Sequence, residues 1–259
     1  TALDLKTNPS SNIFKTESYL VSFFGRLNYS ILDRYLFTAT IRNDGSSRFA
    51  KENRWGLFPS FAFAWKINEE GFMKGNRAFS DLKLRLGYGV TGQQNLGGLG
   101  DYQYIPAYIK NYEGALYPID GSYTMTNRPS AFNKKLKWET TTTYNVGIDW
   151  GILNNRITGA VDGYYRVSDN LLSAVSVAAG TNFSNIVTQN IGSLENKGVE
   201  FSITGKPVAT KDFTWDISYN ATYNRNNITK LTGTGANTAD TNRGISSGTG
   251  NYFEYHQVG

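Results

Sequence analysis

The 259 residues carry a net charge of +5, no Cys and a single His, and 39% of them are hydrophobic. Without Cys there is no disulfide framework, thiolate nucleophile or Cys-based zinc site, and His256 alone cannot supply a His-rich metal centre, so neither a metal nor another cofactor is expected. No apolar run approaches the roughly 18 residues of a transmembrane helix, while 17 Tyr, 15 Phe and 5 Trp make the apolar set strongly aromatic and favour strands over helices.

Alternation of apolar and polar residues is the dominant pattern along the chain. Tyr19, Val21, Phe23, Gly25, Leu27 and Tyr29 interleave with Ser22, Arg26, Asn28 and Ser30. Three further strands follow in Tyr35–Arg42, Leu57–Ile67 and Asp81–Val90. After an irregular stretch, Trp138, Thr140, Thr142, Tyr144, Val146, Ile148 and Trp150 oppose Glu139, Thr141, Thr143, Asn145, Gly147 and Asp149. Arg156–Val167, Val199–Thr204 and Phe213–Asn224 repeat the pattern, and a ninth strand is predicted near Tyr252–Val258.

Short links at 31–33, 151–154 and 206–212, with an intermediate one at 68–80, are expected to alternate strictly with long ones at 44–55, 92–137, 168–197 and 225–250. In an antiparallel meander this puts all short turns at one end and all long loops at the other. The positive charge shows no patch: Arg26, Arg42, Lys83, Arg85 and Arg166 stand singly among Asp81, Glu139, Asp149, Asp162, Glu200 and Asp216. Nucleic-acid binding calls for clustering and is not expected.

A sheet with one apolar face can bury it against a second sheet or against lipid. Soluble sandwich strands average about five or six residues, whereas most of these run about ten to thirteen, and a tilted strand needs about nine to eleven to cross a bilayer. Tyr19, Tyr29, Tyr35, Trp65, Trp138, Trp150, Phe213 and Tyr223 sit toward strand ends, where membrane barrels carry interfacial aromatic girdles. The pattern therefore favours an all-β, antiparallel up-and-down transmembrane barrel. A soluble β-rich carbohydrate- or protein-binding module is the alternative.

Several segments carry a more specific signal. They are Phe24–Tyr29 followed by Asp33–Leu36, Asp44–Phe49, Leu57–Ser60, Leu82–Arg85 with Tyr88–Gly92, Leu136–Thr141, Asn190–Phe201 and Asp212–Trp215. In this order they resemble the SusC/RagA-like TonB-dependent outer-membrane transporters. The resemblance implies a barrel of about 22 strands with an internal plug, TonB as the energy-coupling partner acting through that plug, a SusD-like surface lipoprotein as a lid, and oligosaccharide or peptide as cargo. It places the chain in the outer membrane of a Gram-negative bacterium, in contact with its lipid. With eight or nine strands, no plug and no TonB box, residues 1–259 are expected to form a partial barrel domain with long extracellular loops. The start at Thr1, without initiator Met or signal peptide, fits a processed product or a piece of something longer.

Local motifs suggesting chemistry have simpler explanations. Gly87-Tyr88-Gly89-Val90-Thr91-Gly92 matches GxGxxG, but Gln93 to Gly98 beyond it read as loop rather than as the helix N-terminus that holds pyrophosphate, so these glycines are expected as small lumen-side residues and turn positions. Asp44-Gly45-Ser46-Ser47 lacks the further acids of a calcium loop and is expected to be a tight turn. No catalysis is expected: Arg26, Arg42, Arg85, Glu139, Asp162, Arg166, Glu200 and Asp216 share a polar face of mixed sign, as in a barrel lumen. Phe37, Phe61, Leu84, Tyr144, Val161, Phe201 and Ile217 are expected to face lipid. Tyr102, Tyr104, Tyr108, Tyr112, Tyr117 and Tyr123 crowd one long loop and are the candidates for touching cargo or lid.

Overall fold

The computed structural model describes residues 17–76, 78–96, 101–110, 116–178, 180–230, 243–246 and 252–256. The chain runs through four long strands, β1 (Leu20–Ile31), β2 (Tyr35–Ser46), β3 (Trp55–Lys66) and β4 (Phe79–Gln93). Four short ones follow: β5 (Tyr108–Lys110), β6 (Leu116–Ile119), β7 (Ser122–Met125) and β8 (Asn127–Pro129). Then come β9 (Glu139–Ile152), β10 (Ile157–Ser176), β11 (Ile186–Ala209), β12 (Thr214–Lys230), β13 (Arg243–Ser246) and β14 (Tyr252–His256). The eight long strands make a single antiparallel sheet in the order β1-β2-β3-β4-β9-β10-β11-β12, a meander interrupted only where β5–β8 leave it.

The register assigns every side chain of the sheet to a face, because pairing partners share one. One row runs Trp65, Leu84, Ile148, Val161, Phe201, Ala221. The next runs Tyr29, Phe37, Phe63, Leu86, Val146, Gly163, Val199, Tyr223. The apolar band crosses these rows obliquely. The row through Leu27, Ala39, Phe61, Tyr88 and Tyr144 reaches Lys197 and Arg225 at the far side of the sheet, while on β1 apolar Phe23 and Val21 lie still farther toward the long connections. A band level with a membrane must run obliquely to the register when strands tilt by about 35–45°.

No second sheet covers this face among the described residues, and Phe61, Val146, Val199 and Ile217 are all exposed. The buried core is instead a small cluster at the long-connection end: Phe49, Phe58, Leu96, Leu136 and Trp138, with Val90 and Leu172 against it. Its position follows from the strands. The β3–β4 ladder stops at Ser60–Gly89 although both strands continue, and Phe58 lies over Gly92, where an added Cβ would come within 2.0 Å of the ring. Phe49, Leu96 and Leu136 arrive from the two adjoining connections and fill this gap.

Three expectations need correction. Residues 168–197 are mostly not loop: β10 continues to Ser176 and β11 begins at Ile186, paired through bulges around Leu171, so only nine residues link them. These continuations mix polar and apolar residues without the strict alternation of the membrane-facing part, which is why sequence hid them. Connection lengths consequently do not alternate strictly, since the 47–54 link at the long end is shorter than the 67–78 link at the short end. Finally, β14 does form at Tyr252–His256 but pairs with β13 rather than joining the sheet as a ninth strand, and Gln257 and Val258 lie outside the described residues. Two local readings also shift: Gly87–Gly92 lie wholly within β4, so none is a turn, and Asp44–Ser46 close β2 with Asp44 and Ser46 buried.

Candidate functional site

All eight polar residues expected on one face are found together on the face opposite the apolar rows. Arg26 and Arg166 fall in one row with Thr40, Ser60, Thr143 and Asn196, while Arg85, Asp162 and Glu200 fall in another, linked through Gly147. Glu139, Arg42 and Asp216 take the same side by alternation. Contact is more selective than face. The Arg85 guanidinium donates to both carboxylate oxygens of Asp149 at 2.7–3.1 Å and to Asp162 at 2.9 Å, and Lys83 Nζ reaches Asp149 at 2.8 Å. Gly147 makes this possible, because a Cβ there would stand 2.3 Å from Asp162 Oδ1 and 2.8 Å from Arg85 Nη2.

Four of the others hold different partners. Arg42 donates to Asp44 at 2.7 Å, Arg26 to the Thr40 hydroxyl at 3.2 Å, and the Arg166 guanidinium lies 4.6 Å from the Tyr164 ring centre. Glu139 accepts from the Leu172 amide at 2.6 Å beside the β10–β11 bulge. Of these, Arg26–Thr40 and Glu139–Leu172 join neighbouring strands through charge-assisted hydrogen bonds, while Arg42–Asp44 and Arg166–Tyr164 lie within β2 and β10.

At the long-connection end a platform stands on the buried cluster. Trp138 Nε1 donates to the Arg54 carbonyl at 2.9 Å, and three asparagines lace the 94–138 connection to the β10–β11 hairpin. Asn133 donates to the Thr188 carbonyl, Asn190 to the Lys137 carbonyl and Asn182 to the Phe132 carbonyl, each at 2.8–2.9 Å. Between the two lies a cup of about 310 Å³ lined by Gln103, the stretch 128–133, Phe183, Ser184 and the stretch 186–188, with Phe132 and Phe183 rings 6.0 Å apart. Sequence reading missed this cup because its walls meet only through long-range asparagine bonds that leave no periodic signal.

Among the described residues the candidate tyrosines fall in separate places. Tyr102 and Tyr104 pack edge to face at 6.2 Å, and Tyr102 hydroxyl donates to the Glu17 carbonyl, so these two brace the platform. Tyr108, Tyr117 and Tyr123 are strongly exposed, and Tyr112 lies outside the described residues. Tyr117 and Tyr123 stand on the β6–β7 hairpin, whose turn residues Asp120 and Gly121 take φ of +49° and +77°. Asp-Gly is the preferred pair for such a turn, a hairpin signal present in the sequence that the aromatic count overshadowed.

At the opposite end Glu70 gathers three donors, Tyr35 Oη, Trp65 Nε1 at 3.0 Å and Arg34 Nη1 at 3.1 Å. The Tyr35 hydrogen bond, then that from Trp65, holds its carboxyl below the usual carboxylate range, with the nearby Arg34 charge adding to the effect.

A sheet apolar on one side, polar on the other, and built of strands long enough to cross a bilayer is a section of a transmembrane β-barrel. The chain belongs to the TonB-dependent receptor β-barrel family: residues 3–257 match the family model described as TonB dependent receptor-like, beta-barrel. It is 58% identical to the TonB-dependent receptor SusC of Bacteroides thetaiotaomicron over 95% of this chain and 24% of that protein, and 39% identical to the TonB-dependent receptor P39 of Formosa agariphila over 83% of this chain and 20% of that protein. Among solved structures it resembles the RagAB peptide importer in its open-open state, with a TM-score of 0.76 and 29% identity over 93% of this chain and 24% of that one. It thus spans about a quarter or less of the length of these relatives. These likenesses place it in the outer membrane of a Gram-negative bacterium and in a family of transporters rather than enzymes.

Proposed function

We propose that this chain is part of the wall of an outer-membrane transporter that takes up glycan fragments or peptides with energy delivered by TonB through a plug, together with a SusD-like surface lipoprotein. The reading is carried by the near-complete match to the SusC barrel, on a sheet whose two faces differ as a barrel's lumen and lipid sides must. The face bearing Arg26, Arg42, Arg85, Glu139, Asp162, Arg166, Glu200 and Asp216 lines the lumen. The connections after β2, β4, β10 and β12 are extracellular.

On this reading the β6–β7 hairpin and the cup divide the work of the platform. Leu116, Tyr117, Ile119, Tyr123 and Met125 project from the hairpin with 42–76% of their surface exposed, an apolar, Tyr-bearing composition suited to a protein partner such as the lid. The cup, with the Ser130 and Ser184 hydroxyls and the Phe132–Phe183 pair on its walls, sets polar groups beside aromatic faces, as a sugar or peptide backbone would use.

The test is a pair of variants in the whole transporter carrying this segment. Tyr117→Ala with Tyr123→Ala is expected to reduce co-purification of the surface lipoprotein, and Phe132→Ala with Phe183→Ala to reduce uptake of labelled cargo with the lipoprotein still bound. Unchanged uptake and unchanged lipoprotein association in both folded variants would overturn these roles.

A further inference from the structure

Lys197 and Arg225 occupy a position at odds with their charge. They are direct partners across β11 and β12, and both lie on the apolar face, in the row that runs Phe61, Tyr88, Tyr144, Tyr165 before reaching them. Both are exposed, and among the described residues neither makes an ion pair within 4 Å. The nearby carboxylate on that face, Glu195, makes no ion pair within 4 Å with either cation. Tyr88, Tyr144 and Tyr165 follow one another with ring centres 5.4 and 6.5 Å apart, the beginning of an interfacial girdle. The cations therefore stand at headgroup depth on the side of the long connections.

Beneath them the surface is hollow. Gly163 interrupts the row between Val146 and Val199, and an added Cβ there would meet Val146 Cγ1 at 3.7 Å, so the missing side chain leaves an open furrow. The furrow has a volume of about 700 Å³, is floored by apolar side chains including Val146, Val199 and Tyr223, and has Lys197 and Arg225 at its rim.

Building on the reading of this face as lipid-facing, we propose that the furrow binds a phosphorylated glycolipid of the outer leaflet, of the lipid A class. An acyl chain lies along Gly163 while Lys197 and Arg225 take the headgroup phosphate. The occupant follows from charge and shape together: two unpaired cations at the rim require an anion, and an apolar trough directly below requires that anion to carry a hydrocarbon chain. Arg supplies planar, paired donors for phosphate oxygens and Lys a second point charge.

The experiment uses the intact transporter in detergent micelles with three probes: monophosphoryl lipid A, the same lipid dephosphorylated, and inorganic phosphate. Wild type is expected to bind the phosphorylated lipid about tenfold or more tightly than the dephosphorylated one, on the basis of two near-surface cations. The double variant Lys197→Gln with Arg225→Gln is expected to lose that preference, and Gly163→Leu to weaken both lipids alike with the preference retained. Inorganic phosphate at millimolar concentration is expected not to compete. Equal binding of the two lipids to wild type, an unchanged preference in the double variant, or displacement by inorganic phosphate would each overturn the proposal. A nitroxide at Leu84→Cys reports separately whether this face meets lipid: a lipid-exposed label with no phosphate preference removes the phosphate site alone, whereas a water-exposed label removes the membrane reading with it.

Discussion

Gly147 shows how a single missing Cβ organises the polar face. Arg85 on β4 and Asp162 on β10 are separated by β9, and they touch only because the intervening position carries no side chain. Gly147→Ala is therefore expected to break the Arg85–Asp162 contact and to push the Arg85 guanidinium aside, loosening its Nη2 bond to Asp149 as well. The expected cost is about 1 kcal/mol, the scale of a partly exposed ion pair, read as a lowered melting temperature of the barrel in detergent. An unchanged melting temperature would mean the contact contributes nothing. Glu70 makes a pH-dependent prediction at the opposite end. Its carboxyl titrates below the ordinary value of 4.5 in the folded protein, so its stabilisation is complete above that value and is lost as pH falls through the lowered folded value. The melting temperature of wild type should exceed that of Glu70→Gln at pH 7, and the gap should close on acidification below the ordinary carboxylate range. A gap that persists at acid pH would assign the loss to packing rather than charge.

Within each strand, the phase of alternation decides what a substitution costs. Ile217 and Phe61 lie on the apolar face and Thr143 on the polar one. Arginine at Ile217 or Phe61 is expected to cost about 2–4 kcal/mol where the site is near the bilayer midplane, and much less at Thr143, in denaturant refolding into vesicles. Equal costs would contradict the facing. The division between faces was readable from sequence because a sheet wet on one side imposes a period of two, and in the register the seven apolar residues share one face and the eight polar residues the other. What the pattern could not reach is the part of each element that leaves the membrane. Past Val167 on β10 and before Val199 on β11 both faces are polar or mixed, so the strands continue without alternating and read as loop. The cup between Phe132 and Phe183 was illegible for a related reason: it depends on Asn133, Asn182 and Asn190 finding carbonyls some fifty residues distant.

Viewed whole, the sheet is open. β1 and β12 each present an edge unpaired by any described strand, and every residue of β1 is exposed. Unpaired backbone donors and acceptors cannot remain in hydrocarbon, so both edges require neighbouring strands for membrane insertion. The eight strands expressed alone are expected to aggregate unless detergent is present. A stable, monomeric aqueous form would contradict the membrane placement. Sidedness has its own test: protease added to intact cells should cut within residues 94–138 and spare the 153–156 turn, and the opposite result would invert the topology.

The membrane placement is tested most directly by a spin-label scan of β9 in the transporter reconstituted into vesicles. The chain contains no Cys, so within it each introduced Cys is a unique labelling position. Labels at Tyr144, Val146 and Ile148 should collide mainly with dissolved oxygen, which partitions into lipid, and labels at Thr141, Thr143 and Asn145 mainly with a water-soluble nickel chelate, giving a period of two in the phase set by the register. A reversed phase, or equal accessibility of all six positions to the aqueous reagent, would contradict it.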